Sequence, residues 1–315
     1  MFLKTVYMEF RKNIFRTNTI SVLLIILLIS FMSAINFKSG IETGKHQVRL
    51  DKVITTNNIT YDKLSKKLNT ITDKAQKEKI KDKISALNIE RISPKVVKSP
   101  FNVINNTVFN LLYLSIIIGI LFGDIFSKEY STNIESLLFS SKTSRTHLVL
   151  SKIISSFVII VLTNLLFFIS CYGMGFLFLK DTSINIPMQQ LIGSEFIQSN
   201  MSVMQYISIG FLYSNLVCFL FVAVITFISS LTKNYLLPVF SGILLGFITM
   251  MSSNLWKDYS HIVKFLPTSY LDYNLFTKIR NMYNLNWSLP LILIIFSTAF
   301  FIALTIIKIL KKQVC

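Results

Sequence analysis

Charge is scarce in this chain. Only 15% of its 315 residues are charged, where a soluble domain carries about 25%. Glycine is scarce too, with ten residues dispersed along the chain and no Gly-x-x-x-x-Gly-Lys-Ser/Thr anywhere. That excludes a phosphate-cradling loop, and with it nucleotide hydrolysis by this polypeptide. The three cysteines are Cys171 and Cys218, inside apolar runs, and Cys315, the last residue. Neither a disulfide framework nor a metal cluster can be drawn from them. His46, His147 and His261 lie far apart without ligand spacing, and no Ser/His/Asp grouping occurs. Metal chemistry, a bound cofactor and intramembrane proteolysis are therefore not expected of this chain.

Apolar sequence is abundant instead. Hydrophobic residues make up 52% of the chain, with 27 phenylalanines. They gather into six charge-free runs, roughly Thr19–Phe37, Val108–Gly123, Ile153–Leu179, Ile207–Leu231, Tyr235–Leu255 and Leu289–Ile307. A bilayer needs about 20 residues of helix. The second run reaches that length only if it extends back towards Phe101, and the third is long enough to tilt or to break near Gly173 and Gly175. Backbone polar groups in lipid must be satisfied within the segment, so all six are expected as helices. No acidic residue falls within the runs, which argues against a proton- or sodium-coupled carrier. The basic start followed by Ile20–Ile35 resembles a signal peptide, but Ser33-Ala34-Ile35-Asn36 offers no usual cleavage pattern. A retained first span is expected.

The charge that exists is basic and unevenly placed. The net formal charge is +17. Ahead of the first span, Leu3, Val6, Tyr7, Phe10 and Ile14 recur at helical spacing among Lys4, Arg11, Lys12 and Arg16. That pattern fits a helix lying in the membrane interface, or a basic tail that stops translocation. Between the first two runs stands a 64-residue polar insert, Phe37–Pro100, with 15 Lys/Arg and 7 Asp/Glu. Leu64, Leu68, Ile71, Ala75, Ile80, Ile84 and Leu87 predict one long helix there, or a hairpin bent near Asn69–Asp73. Its narrow apolar stripe calls for a partner, unless the helix is a solvated spacer. Short loops on the side of the termini carry 12 basic residues against 5 on the other, which favours cytoplasmic termini. The insert's own basic residues oppose that count.

The segment from Gly123 to Lys152 has a specific shape. An acidic amphipathic stretch, Lys128–Phe139, leads into the small-residue turn Ser140–Ser144, then Arg145, then a new helix with Lys152 near its start. On Glu135-Ser-Leu137-Leu138-Phe-Ser140, Lys142-Thr-Ser144-Arg145 and Ser151-Lys152, the sequence resembles the ABC type-2 permease family. It departs from that pattern in lacking a proline in the turn and a glycine before the leucine pair. The resemblance covers nearly the whole chain in plan and about 25 residues in motif.

The resemblance implies an all-α integral membrane protein with six transmembrane helices. An interfacial helix (1–17) precedes spans at 18–37, 101–126, 148–179, 204–231, 235–255 and 288–310. A helical extracellular insert (38–100) follows the first span. A cytoplasmic coupling-helix region (127–147), an extracellular loop (180–203), extracellular or re-entrant helices (256–287) and a cytoplasmic tail (311–315) complete the plan. It implies that Lys128, Glu129, Glu135, Leu137, Leu138, Phe139 and Arg145 couple the chain to a separate cytoplasmic ATPase subunit. Leu137, Leu138 and Phe139 would form the apolar anchor, and Glu129, Glu135 and Arg145 the ion pairs at its rim. ATP and Mg would sit on that partner and not here. The further partners are a second permease protomer, identical or related, and membrane lipid; no nucleic acid is expected. The product is an exporter in the plasma membrane. Its composition, rich in Lys, Asn and Ile and poor in Gly and Pro, fits a low-GC Gram-positive bacterium, where relatives export or expel antimicrobial peptides, lipids, glycans or drugs.

Two features stay open. Asn110, Asn164 and Asn215 either line a translocation path or bridge helices, as buried amides in spans commonly do. The aromatic stretch Trp256–Trp287 is either an element closing the outer end of that path or an aromatic belt. A reading of another class, a membrane scaffold or sensor whose basic external helix binds a ligand or anionic lipid, needs no coupling segment at all.

Overall fold

The computed structural model describes residues 2–14, 17–39, 43–71, 74–87, 97–132, 145–179, 184–192, 194, 201–263, 267–274, 277 and 288–311. Among them there is no strand beyond isolated bridges joining Val97 to Leu191 and Pro187 to Ser202. The described helices are α1 (Phe2–Ile14), α2 (Thr17–Ser39), α3 (Thr43–Thr70), α4 (Lys74–Ala86), α5 (Pro100–Thr107), α6 (Leu111–Phe122), α7 (Ser127–Ser131), α8 (Arg145–Phe178), α9 (Val203–Leu231), α10 (Leu236–Val263) and α11 (Ser288–Leu310). Five segments, containing α2, α6–α7, α8, α9 and α11, are long and apolar enough to cross a membrane. A sixth helix, α10, carries a shorter apolar stretch at Leu236–Thr249.

The second apolar run is not one continuous helix over 101–126. It breaks between α5 and α6, and the reason is local. Asn110 takes extended backbone angles and its side-chain oxygen accepts from the Leu112 N–H at 3.1 Å. An asparagine that offers this bond competes with helix continuation and starts a new helix instead. The short α5 is stabilised at its own start. Ser99 and Asn102 form a capping box, with Pro100 in the first turn, where its missing N–H costs nothing.

The third run, by contrast, does not break at its glycines. Helix α8 runs unbroken for 34 residues, about 51 Å at the α-helical rise. Gly175 serves close packing there: a Cβ would fall 2.9 Å from Pro100 Cα of α5.

Helix α6 lies at the centre. It packs against α10 and α9, while α9 holds α11 and α8, and α8 holds α1, α2 and α5. The α6–α10 contact is the closest of these. A Cβ on Gly246 would meet Ser115 Oγ at 2.3 Å, and one on Gly119 would meet the Val239 carbonyl at 3.1 Å. Small residues at four-residue spacing on both helices bring the backbones together, which is how spans associate without a hydrophobic drive from water.

The polar insert forms two helices, α3 and α4, packed on each other. Leu50, Val53, Asn57 and Leu87 are buried within it, and Asn57 donates to the Leu87 carbonyl at 3.1 Å. Among the described residues the substantial helix contact of α3 is with α4, so the hairpin makes its own small core.

At the start of the chain, α1 carries the amphipathic pattern read from sequence. Phe10 and Ile14 pack on the bundle, while Leu3 and Tyr7 stand exposed. The Thr19 hydroxyl donates to the Asn13 carbonyl at 2.7 Å and ties the first turn of α2 to the end of α1.

Candidate functional site

At the C-terminal end of α6 the chain turns through residues 123–126 into α7. One side chain of α9 fixes this turn. Ser229 Oγ accepts from the backbone N–H groups of Phe126 and Ser127, each at 3.1 Å, and donates to the Gly123 carbonyl at 2.9 Å. The donors at the start of α7 would otherwise be orphaned in a buried place.

Helix α7 then presents Glu129, only 7% exposed. Its carboxylate accepts from Lys152 Nζ, on the second turn of α8, and from Lys12 Nζ of α1 at 3.0 Å. Lys152 is completely buried. Its ammonium also donates to the Ile125 carbonyl at 3.2 Å and lies 5.1 Å from the centre of the Phe126 ring. A buried charge is tolerated only when paired and hydrogen-bonded, and here Lys152 has a carboxylate, a carbonyl and a ring face. The result is a node where α1, α7, α8 and α9 meet. Residues 133–144, between α7 and Arg145 at the start of α8, lie outside the described residues.

At the other end of α6 a second cluster closes the bundle with aromatic rings and amides, beside the half-buried Asp272, whose charge acts on Tyr206 and Tyr213. Tyr273 packs its ring against Phe109, Tyr206 and Tyr213, with centroids 5.3, 4.8 and 5.6 Å away. The Tyr273 hydroxyl donates to the Tyr206 carbonyl at 3.1 Å, and Tyr206 donates to Asn274 Oδ1 at 2.8 Å. Asn274 in turn donates to the Asn105 carbonyl at 2.9 Å, and Tyr213 donates to the Tyr270 carbonyl. Gly210 leaves room for these rings: a Cβ there would stand 2.5 Å from Phe109 Cζ. Asn102 and Asn105 extend the cluster to Ile192 and Ser194 at 3.0 and 3.2 Å.

The residues singled out from sequence fall in three places. Glu129 is at the centre of the node, Lys128 is exposed beside it, and Arg145 opens α8 half-buried. Glu135, Leu137, Leu138 and Phe139 lie outside the described residues. Asn110 caps α6. Asn164 donates to Ser214 Oγ at 3.0 Å, joining α8 to α9, and Asn215 donates to the Phe211 carbonyl of its own helix at 2.8 Å. Sequence reasoning read Glu129 as a rim charge and passed over Ser229 and the Lys12–Glu129–Lys152 triad. The available signal was Lys152 itself, the only charged residue between Leu148 and Leu179, since a lone lysine inside an apolar helix needs a counter-ion. Of the aromatic stretch, Pro267–Tyr270 forms a single 3-10 turn, and residues 278–287 lie outside the described ones.

An all-helical chain with several membrane-length apolar helices is a multi-pass membrane protein. The sequence profile of the ABC-2 family transporter proteins matches residues 43–309, most of the chain, and the protein belongs to that family. No curated protein and no solved structure matches it.

Proposed function

We propose that this chain is the permease subunit of an ATP-binding cassette exporter in the cell membrane. It works as a dimer, with itself or with a related permease, above two cytoplasmic ATPase subunits that bind ATP and Mg. Family membership supports a membrane component of a transporter. The observation that carries the coupling is the node around Glu129. It ties the interfacial helix α1, the end of the central span and the start of α8 into one body. Residues 133–144 join α7 to α8 in the sequence. A push on the segment therefore moves α6 and α8 together, the rigid-body transmission that such a machine needs.

In this reading Glu135, Leu137, Leu138 and Phe139 dock on the ATPase, with Lys128 and Arg145 at the rim and Glu129 holding the platform from behind. Both termini face the cytoplasm, the α3–α4 hairpin faces outside, and the Tyr206–Tyr273 cluster closes the outer end. The cargo is an amphipathic peptide, a lipid-like molecule or a drug. Replacing Glu135 and Leu138 together with alanine should remove cargo-stimulated ATPase activity from the reconstituted complex. Unchanged export by that variant sinks the docking assignment. Labelling a Lys77→Cys chain from outside intact cells tests the orientation.

A further inference from the structure

The α3–α4 hairpin has chemistry that coupling and translocation do not use. From Lys63 to Lys83 it carries eight lysines and no arginine, against the three acids Asp73, Glu78 and Asp82. Lys63, Lys66, Lys67, Lys74, Lys79, Lys81 and Lys83 are exposed and Lys77 is half-buried. Among the described residues no carboxylate pairs with any of them; the ion pairs found there are those of Glu129. The lysines are ordered by the helices. Lys63, Lys66 and Lys67 fall on one turn-and-a-half of α3, and Lys74, Lys77 and Lys81 form a stripe on α4. Successive ammonium groups in each set are separated by about 6 Å or less of axial rise.

We propose that this tip is a binding surface for a phosphate-bearing polyanion on the outer side of the membrane, a polymer and not a single headgroup. Its location outside rests on the orientation proposed above; its chemistry does not. Lysine offers a compact point charge without the fork that reads one phosphate in a fixed geometry. A row of lysines therefore suits repeated charges at loose register. The hairpin is poorly built for adsorption to a bilayer. A helix lying in the interface needs an exposed apolar face, and the large apolar side chains exposed on α3 are Val48, Ile59 and Tyr61, all before the lysine tip. Among the described residues from Asp62 to Leu87 none is exposed. The buried side of α3 is already covered by α4, so what remains for a ligand is charge.

The test uses the full-length chain in nanodiscs of zwitterionic lipid, with inorganic polyphosphate as the probe. The unaltered chain should bind it, and affinity should fall about a hundredfold between about 50 and about 200 mM salt, as for a ligand held by roughly five released counter-ions. A variant with Lys63, Lys66, Lys67, Lys74, Lys77 and Lys81 all changed to glutamine should lose binding at least tenfold, an order-of-magnitude expectation from the same counter-ion argument. The same six changed to arginine should keep it. Unaltered affinity in the glutamine variant overturns the proposal, and so does equal loss in the arginine variant, because charge would not be the cause. Binding to discs or vesicles containing anionic lipid, with none to polyphosphate, overturns it in favour of a membrane contact. Discs expose both faces, so the outcome is independent of orientation. Outside labelling of Lys77→Cys in intact cells reports orientation alone.

Discussion

The two ends of helix α6 are closed by opposite means. At its C-terminal end Glu129 is shared by Lys152 and Lys12. At its N-terminal end Tyr206, Tyr213, Tyr273, Asn105 and Asn274 make hydrogen bonds between uncharged groups, with the half-buried Asp272 beside them. Buried charges bind strongly only while every partner is present, and the loss of one leaves a desolvated ion behind. Neutral hydroxyls and amides each contribute about 0.5–1.5 kcal/mol, so their losses are graded. The buried Glu129–Lys152 pair is an all-or-none joint and the aromatic end a distributed seal. A joint of the first kind suits the place where the proposed ATPase pushes, because it moves as a body or not at all.

The sharpest way to break that contrast is Glu129→Gln. Lys152 would keep its carbonyl and its ring but lose its counter-charge, and stability should fall by about 3–5 kcal/mol. Thermal unfolding in nanodiscs reads the effect. Adding Lys152→Met removes the orphaned charge and should restore most of the loss, since an apolar replacement of a buried pair is often neutral. If the double variant is as unstable as the single one, the node is held by shape and not by charge.

The aromatic end should answer less severely. Gly210→Ala places a methyl group 2.5 Å from Phe109 Cζ and 2.7 Å from Tyr273 Cε1. Those rings must shift, at a cost of about 1–3 kcal/mol for overpacking. Tyr206→Phe removes only the hydroxyl that reaches Asn274 and lies 3.1 Å from Thr277 Oγ1, and should cost about 1 kcal/mol. Both are read by the same unfolding measurement. A loss from Tyr206→Phe as large as that from Glu129→Gln would erase the distinction between the two ends.

The difference also explains what could be read from sequence. Membrane-length apolar runs are a property of composition over 20 residues, and they placed the helices. The amphipathic face of α1 follows from local spacing, and so does helix in the polar insert, although spacing there left one long helix or a hairpin open. The break at Asn110 was not, because an asparagine in an apolar run is compatible with a cap or with an interhelical bond, and only the neighbouring backbone decides. Glu129 and Lys152 lie 23 residues apart, and Lys12 is 117 residues from Glu129. Sequence periodicity carries no information over such separations. Ser229 was invisible for the same reason: a serine near the end of an apolar helix is common, and its three partners lie in the turn at the end of another span. Gly119 and Gly246 carry a readable small-residue spacing, but which helix each approaches is again a matter of packing.

The smallest expected stability effect concerns Lys12, and it separates holding from coupling. Its side chain is 45% exposed where that of Lys152 is fully buried. A half-exposed pair is screened by water and salt and contributes under about 1 kcal/mol. Lys12→Gln should therefore leave thermal unfolding almost unchanged, even at low ionic strength. Yet Lys12 is the α1 charge that pairs directly with Glu129, beside the Glu9 charge that also acts on Lys152, the Phe2–His147 ring contact, apolar packing and the Thr19–Asn13 hydrogen bond. If the interfacial helix must travel with α7 and α8, Lys12→Gln should lower cargo-stimulated ATPase activity in the reconstituted complex while basal hydrolysis and stability persist. Raising salt on the unaltered complex should reproduce part of that loss, because the same pair is screened. Equal stimulation in variant and parent would confine the joint to Glu129 and Lys152 and leave α1 as an anchor that the motion does not use.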